Sequence, residues 1–442
     1  MAATLHRKIS LLQATAINMI DMVGIGPFVT LYMVISIMNG PWYLYAWIAG
    51  ALLAFMDAMI WSELGAAYPL AGGSYNFLKI AYSKKKLGGL LSFLYVWQTC
   101  IQAPLVIASA AIGFSEYLGY LVHLNWWEAK LVSAFIVLLV IFLLYRRIEE
   151  IGKISVVMWC CVIILFAWII TAAFSYGHFF EPIKHINDNI QLNSLFFVLL
   201  GQASVKSIYS YLGYYNVCHL GGEIKNPARN IPSSMFISIG GIFLFYMALN
   251  ISVTSVIPWD KTSSYTNVVS SYINIVSGKT ASNVATVLIL VVAFSSVFSA
   301  TLGYSRVPYA AAADGAFFKQ FARLHPTKDF PYVSLLFLGF LGLIFSLLFK
   351  MKHVIDAILA MRILVQFVAQ AVGLILLRQQ SGTRNLPFKM WLYPVPVIIS
   401  ISMWIYIFLS TGWLALWGSL IAITGVIVYY IKQSIAHKSL IQ

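Results

Sequence analysis

Long apolar segments recur along the whole chain, each of about the length that a helix needs to cross a lipid bilayer. Of the 442 residues, 61% are hydrophobic and only 10% are charged. A soluble domain carries charge on about a quarter of its residues, so this chain has too few polar groups to cover a globule. Lipid removes that requirement, because apolar side chains can face it directly. The pattern therefore predicts an all-α, polytopic membrane protein.

Charged residues, prolines and glycines divide the apolar sequence into twelve predicted transmembrane spans. The third span is long enough to require a strong tilt or to project beyond the lipid. The spans lie near 11–38, 41–62, 87–121, 126–145, 153–176, 193–219, 233–257, 282–311, 332–350, 353–377, 391–411 and 413–431.

The distribution of Lys and Arg predicts the orientation of the chain. The net charge is +14, and 19 of the 28 basic residues fall in segments on the side of the N-terminus. Six fall in loops on the other side, and three lie within spans or at their ends. Cytoplasmic loops are enriched in Lys and Arg, so both termini are predicted to lie in the cytoplasm. No basic patch is interleaved with aromatic residues, so no nucleic-acid partner is expected.

The cysteines are predicted to be small packing residues. All four lie inside apolar segments, and none has the spacing of a zinc site or a partner in a loop. We expect no disulfide, no metal site and no cofactor. The four residues are Cys100, Cys160, Cys161 and Cys218.

Two predicted spans contain interruptions at corresponding places. The first span has Gly24-Ile25-Gly26-Pro27 in its middle, and the sixth has Ser210-Tyr211-Leu212-Gly213-Tyr214. Proline lacks an N–H and glycine lowers the cost of unwinding. Breaks at matched positions of two halves indicate an inverted-repeat transporter with a binding site at the midplane. Simple kinks are the alternative, because Gly and Pro are common in transmembrane helices.

The ends of such broken helices suit one kind of ligand. Free N–H groups at one end attract a carboxylate, and free carbonyl groups at another attract an ammonium. An α-amino acid carries both charges close together, so the breaks favour an amino acid as the substrate.

Short motifs follow one another in order from about residue 15 to residue 395. They are Gly24-Ile25-Gly26-Pro27-Phe28, Glu63-Leu64-Gly65 with Pro69, Gly72-Gly73-Ser74-Tyr75, Glu223-Ile224-Lys225-Asn226-Pro227, Arg229-Asn230-Ile231-Pro232, Ser305-Arg306, Asp314-Gly315, and Leu377-Arg378 with Pro387. Together they resemble the amino acid–polyamine–organocation (APC) transporter superfamily. Within it, the chain is most similar to the L-type amino acid transporter branch and to bacterial amino acid permeases.

The resemblance implies a single LeuT/APC-type transporter domain over 1–442. It has a five-plus-five inverted repeat, with spans one to five in 11–176 and spans six to ten in 193–377. Two further helices lie in 391–431, and helices one and six are discontinuous. The implied activity is secondary active transport, as symport or exchange, of an amino acid by alternating access. The implied location is a bacterial inner (plasma) membrane, embedded in lipid.

The resemblance also implies where the substrate binds. Backbone N–H groups near Ile25 and Gly26 would bind the carboxylate, and carbonyl groups near the two breaks would bind the amine. Tyr209 would close over the substrate from outside, with ordinary aromatic packing as the alternative. The predicted substrate-binding residues are Met22, Val23, Gly24, Ile25, Gly26, Tyr209, Ser210, Tyr211 and Gly213.

Two departures from the family pattern bear on coupling and partners. Many sodium-independent relatives have a Lys in the fifth span, and this chain has none between Ile154 and Tyr176. The coupling ion is therefore left open among H⁺, Na⁺ and exchange, with H⁺ as a candidate. The loop near 119–130 has no Cys, so no disulfide-linked heavy subunit is expected.

Five ionisable residues inside the spans are candidates for coupling or ion pairing, because charge is costly in lipid. Asp21 either caps the freed N–H groups or binds a cation or proton. Lys206 either attracts an anion or pairs with an acid. The alternative is that its side chain extends outward so that the ammonium reaches water. Arg362 is predicted to border the site or to pair with an acid, with a purely structural ion pair as the alternative. Asp57 and Glu116 belong to the same predicted network.

Four charged residues on the predicted cytoplasmic side are candidates for an inner gate. Salt bridges among Glu223, Arg229, Arg306 and Asp314 would close that side while the outer gate, at Tyr209, is open. Loop anchoring is the alternative.

Other classes of function are less favoured. Transport of a polyamine or another organic cation on the same fold is supported by Asp21 and opposed by Lys206 and Arg362. An ATP-driven pump is disfavoured because the chain lacks a phosphate-binding loop. No constellation of His, Asp and Glu suits an enzyme, and no soluble output domain suits a sensor.

Overall fold

A computed structural model describes residues 5–85, 87–176, 178–188, 190–265, 267–381 and 386–441. Within these residues the β-structure is limited to two isolated bridges, Ile9 with Ile224 and Ala71 with Leu220. The helices are α1 Leu11–Val23, α2 Gly26–Met38, α3 Leu44–Ala67, α4 Ser74–Ala81, α5 Gly88–Leu118, α6 Trp126–Leu144, α7 Ile148–Tyr176, α8 Glu181–Lys184, α9 Ser194–Tyr211, α10 Asn216–His219, α11 Pro227–Thr254, α12 Val268–Tyr304, α13 Arg306–Ala313, α14 Tyr332–Leu348, α15 Met351–Arg362, α16 Ala369–Ser381, α17 Val395–Ser410 and α18 Leu414–Ile441.

A helix lies over each of the twelve predicted spans, and the all-α polytopic fold is confirmed. Among the described residues, eight helical segments are long and apolar enough to cross a membrane, and the bent pair α1 and α2 makes a ninth. The helices α14 and α17 are shorter but equally apolar. The division into two inverted halves, 11–176 and 193–377, stays a prediction.

The outer surface of the helix bundle is apolar where lipid would contact it. On α6, the side chains of Leu131, Phe135, Leu138 and Phe142 are all more than half exposed. In water such a patch would be unfavourable, whereas a bilayer solvates it directly. The bundle therefore buries its polar groups inside and presents hydrocarbon outside.

Residues 268–277, at the start of α12, form a helical segment that lies outside the eighth predicted span. Gly278 interrupts α12 with φ 83° and ψ 174°. The Ser270 hydroxyl lies 2.7 Å from that of Thr286. Sixteen residues of straight helix would separate these groups by about 24 Å. The chain therefore reverses at Gly278, and residues 268–277 pack back onto the start of the long span.

The tenth predicted span changes its helical form next to a buried cation. Residues Ile363–Val368 form a π-helix between α15 and α16. Such bulges are rare and occur frequently at functional sites. Here the π-helix follows directly after Arg362, and it widens the backbone at that point.

Two polar contacts define one face of the bundle, the N-terminal face, where α1 begins. The backbone N–H groups of Lys8 and Ile9 donate to the Glu223 carbonyl at 2.8 and 2.9 Å. On the same face, Arg378 forms a two-pronged salt bridge with Glu63, at 2.7 and 2.5 Å. The Glu63 carboxylate also accepts from the Met390 N–H at 2.8 Å, so it fastens three segments together.

We expect Arg378→Met to destabilise the protein by about 3–5 kcal/mol, because Glu63 would remain buried without its partner. Arg146→Gln is a matched control, since Arg146 and Glu150 form a half-exposed pair at 3.7 Å. Exposed pairs contribute less than about 1 kcal/mol. Thermal unfolding of the two purified variants checks this, and equal melting temperatures would contradict it.

Candidate functional site

The first break lies between α1 and α2, which meet at an angle of 41°. Gly24 adopts φ 39° and ψ −151°, a conformation that residues with a side chain rarely adopt. A Cβ at this position would lie 2.5 Å from the Ser296 hydroxyl on α12. Glycine is therefore required both by the backbone turn and by the close approach of α12.

The second break follows α9, which continues through Tyr211. The interruption thus covers residues 212–215 rather than beginning at Ser210. Leu212 is extended, with ψ 148°, and Gly213 has φ 118°. A Cβ on Gly213 would lie 2.9 Å from the Met22 nitrogen and 3.0 Å from the Asp21 carbonyl carbon. The two breaks are therefore in direct contact.

A small cavity lies between the two breaks. Its walls come from α1, α2, α5, α9, α12 and α15 and from the segment that follows α9. The lining residues are Asp21, Met22, Gly24, Ile25, Gly26, Val106, Ala110, Tyr209, Leu212, Gly213, Tyr215, Ser296, Tyr304, Ile358 and Arg362.

Six of the nine predicted substrate-binding residues line this cavity, and Val23, Ser210 and Tyr211 do not. The Ser210 hydroxyl instead lies 2.8 Å from that of Thr30 on α2. The Tyr211 ring packs at its edge against Trp47. These two side chains hold α9 against neighbouring helices.

Tyr246 on α11 ties the two breaks together from behind. Its hydroxyl is 2.8 Å from the Met22 carbonyl and 2.8 Å from the Ser210 carbonyl. One hydroxyl has one hydrogen to donate, whereas each carbonyl oxygen can accept two. Both carbonyl groups therefore keep capacity to accept from a ligand.

The N-terminal end of α2 borders the cavity at Ile25 and Gly26. No side chain caps this end, and Pro27 occupies the first turn. The first N–H groups of a helix have no partner within the helix, and the helix dipole is positive there. This end of the cavity is therefore suited to an anionic group.

Arg362 places a buried cation in the cavity wall, 2% exposed. Its Nε donates to the Gln366 side-chain oxygen at 2.8 Å, and its Nη2 donates to the Tyr215 hydroxyl. The rings of Tyr215, Phe367 and Tyr304 surround the guanidinium at 4.9, 5.5 and 5.7 Å. Within the described residues it makes no direct ion pair with a carboxylate.

Asp21 places a carboxylate in the same cavity. It lies in the last turn of α1, near Asn216 and, at longer range, near Arg362. The cavity therefore contains one carboxyl group and one guanidinium that are not directly paired.

The other coupling candidates lie elsewhere. Asp57 is buried in α3, where it accepts from Tyr214 at 2.5 Å and from Ser400 at 3.1 Å. Glu116 is exposed in a groove on the face opposite the N-terminal face, together with Lys130. Lys206 on α9 forms an ion pair with Asp356 on α15, between the cavity and that opposite face.

The predicted inner-gate residues do not form one cluster. Arg306 and Glu223 make a buried two-pronged pair at 3.0 and 3.2 Å. Asp314 instead pairs with Lys79 and accepts from the Tyr75 hydroxyl at 2.6 Å. Arg229 is exposed and makes no salt bridge within the described part of the chain.

Tyr209, the predicted outer-gate residue, reaches from α9 to α5. Its hydroxyl lies 2.8 Å from the Ser109 hydroxyl. Because Tyr209 also lines the cavity, this contact spans the cavity wall between two helices.

Two ionisable residues near the cavity, Asp356 and His219, are not among the residues predicted from the sequence. Asp356 lies inside the tenth predicted span, six residues before Arg362. An acidic residue in an apolar segment is costly, and this feature of the sequence could have identified Asp356 as a candidate. His219 is buried beside the second break, and its Nε2 lies 3.0 Å from the Tyr95 hydroxyl. Nothing in the sequence marks Val106, Ala110 or Ile358 as lining residues, because only tertiary packing brings them to the cavity.

We expect Gly213→Ala to destabilise the protein by about 2 kcal/mol or more, since the new methyl would meet the backbone at Asp21 and Met22. Gly240→Ala on α11 is the control, because nothing lies within 4 Å of its added Cβ. That variant should be unchanged or more stable by up to about 1 kcal/mol. Thermal unfolding distinguishes the two, and a Gly213→Ala protein as stable as Gly240→Ala would show that the breaks are not in tight contact.

Comparison with known proteins agrees with this architecture. The family model described as amino acid permease matches residues 9–431. The chain is 22% identical to a branched-chain amino acid permease of Bacillus subtilis, over 97% of this chain and 93% of the relative. It is 24% identical to a methylthioribose transporter of the same organism, over 98% and 96%. It is 23% identical to a serine/threonine exchanger of that organism, over 90% and 89%.

The match covers nearly the whole chain, including both helix breaks and every wall of the cavity between them. The chain therefore belongs to the amino acid permease family of the APC superfamily and is a membrane transporter rather than an enzyme.

Proposed function

We propose that the protein is a secondary active transporter, a symporter or exchanger, that moves an amino acid across the cytoplasmic membrane by alternating access. The observation that carries the proposal is the cavity enclosed between the two helix breaks. Backbone groups freed in the middle of a membrane need partners, and a zwitterionic ligand provides them.

The proposed binding mode assigns each charge of the substrate to one end of the site. The carboxylate binds the uncapped N-terminal end of α2 at Ile25 and Gly26. The ammonium binds on the opposite side, where Asp21 and the Met22 carbonyl lie. Both ends line the same cavity, so one small molecule reaches them together.

The names of the relatives support an amino acid as the substrate class. One relative is named for branched-chain amino acids and another for serine and threonine. The methylthioribose transporter carries a substrate that is not an amino acid. The cavity, with a carboxyl group, a guanidinium and the N-terminal end of α2 in its walls, supports an amino acid as the substrate of this chain.

Contacts on both sides of the cavity are proposed as the gates. Towards the opposite face, Lys206 and Asp356 join α9 to α15, and Tyr209 contacts Ser109. Towards the N-terminal face, Glu223 and Arg306 join the segment after α10 to α13. Breaking one set while the other stays closed would expose the cavity to one side at a time.

The proposal includes the orientation of the chain in the membrane and the ion whose movement is coupled to transport. We propose that both termini lie in the cytoplasm, and the excess of Lys and Arg on the N-terminal face supports this orientation. H⁺ is the candidate coupling ion, with Asp21 as its site, because Asp57 and Glu116 lie outside the cavity.

Transport in proteoliposomes tests the function. We expect saturable uptake of at least one labelled amino acid from a panel of the twenty common ones, with no uptake of spermidine, because Arg362 repels a polycation. Protein-free vesicles serve as the negative control. Uptake of spermidine alone would assign the protein to organic-cation transport, and uptake of neither would refute the proposal.

We expect Glu223→Gln to lower transport by about tenfold or more, because Arg306 would lose its buried carboxylate and the inner gate would not close. Binding, measured as the rise in melting temperature with ligand, should persist. Glu150→Gln, which removes an exposed acid on the same face, should leave transport unchanged. If Glu223→Gln transports at the same rate as Glu150→Gln, the pair of Glu223 and Arg306 is not part of the gate.

A further inference from the structure

Arg362 differs from the other cations that lie inside the bundle. Arg306 pairs with Glu223, Arg378 pairs with Glu63, and Lys206 pairs with Asp356. Within the described residues, Arg362 has no such carboxylate partner. A buried charge is costly unless it is paired, so a cation without a direct carboxylate partner has capacity to bind an anionic ligand.

The hydrogen bonds of Arg362 leave part of its guanidinium available. Its Nε is used by Gln366 and its Nη2 by Tyr215. Aromatic rings of Tyr215, Tyr304 and Phe367 lie around it. The Nη1 group makes no hydrogen bond with the described residues, and the side chain lines the cavity. Gln366 and Tyr215 thus fix the orientation of the guanidinium and leave a donor for a ligand.

Three charged or polarised groups border the cavity at separate points. Asp21 provides a carboxyl group, the N-terminal end of α2 is positively polarised, and Arg362 is a cation. A neutral amino acid has one ammonium and one carboxylate, which satisfy Asp21 and the end of α2. Such a ligand leaves Arg362 without its anion. A ligand with one ammonium and two carboxylates satisfies all three groups.

We propose that the substrate is an acidic amino acid whose side-chain carboxylate binds Arg362. This inference rests on the proposed function and names its substrate class. Val106, Ala110 and Ile358 provide an apolar wall for the methylene groups of such a side chain. Arg362 is then the residue that determines specificity, because its free Nη1 group can donate a charge-assisted hydrogen bond to a carboxylate.

A comparison of matched ligands on the unmodified protein tests the proposal. Glutamate and glutamine, like aspartate and asparagine, differ only in the exchange of a carboxylate for an amide. We expect at least one acid to bind about 30-fold or more tightly than its amide, measured by thermal shift and by competition for uptake. Equal binding of acid and amide would overturn the inference while leaving amino acid transport intact. If neither these four compounds nor any other common amino acid binds, the proposed function itself fails.

The variant Arg362→Gln tests the residue. We expect the affinity for the preferred acid to fall about 100-fold or more, while the affinity for its amide stays the same or improves. Lys279→Gln is the matched control, since it removes an exposed cation that lies over the Tyr120 ring. An Arg362→Gln protein that melts normally and keeps the acid preference would overturn the assignment. If that variant does not fold, the acid–amide comparison on the unmodified protein decides the question alone.

Discussion

Backbone groups inside a bilayer have no water to bond, so an interrupted helix there must find its partners within the protein or in a ligand. In this protein two interruptions meet each other. Gly24 and Gly213 allow the chain to turn where other residues would be strained. Gly213 also permits the second break to lie against the backbone at Met22. The cavity exists because these two breaks leave polar groups facing one small volume.

The rest of the bundle holds that volume in place. Tyr246 reaches the carbonyl groups of Met22 and Ser210 from α11. Asn18 on α1 accepts from the Val217 N–H at 2.9 Å, and the Ser299 hydroxyl donates to the Ile17 carbonyl at 2.8 Å. These contacts are buried, so each would be costly to leave unmade. They fasten α1, α10, α11 and α12 around the breaks, and the lining side chains are therefore set by the whole bundle.

The buried charged groups fall into two kinds, those that pair within the protein and hold segments together and those that face the cavity. Buried pairs such as Glu63 with Arg378 are complete within the protein, with two hydrogen bonds between the partners. Asp21 and Arg362 share a cavity but are not directly paired, so each keeps capacity for a ligand. Buried polar groups of this kind discriminate between ligands, because the wrong ligand leaves them unsatisfied.

The amino-acid sequence by itself determined the all-α polytopic fold, the twelve apolar segments and the first helix break, because these depend on local composition and on Gly and Pro at single positions. It also marked Arg362 and Lys206 as costly residues in apolar segments.

It did not determine that Asp356 pairs with Lys206, that Asp314 pairs with Lys79 rather than Arg306, or that α12 reverses at Gly278. Those outcomes depend on which helices pack together, and pairings between residues 150 or 235 positions apart leave no local pattern. Only the tertiary structure brings Val106, Ser296 and Ile358 to one cavity, because their helices are separated along the chain and meet only when the bundle is packed.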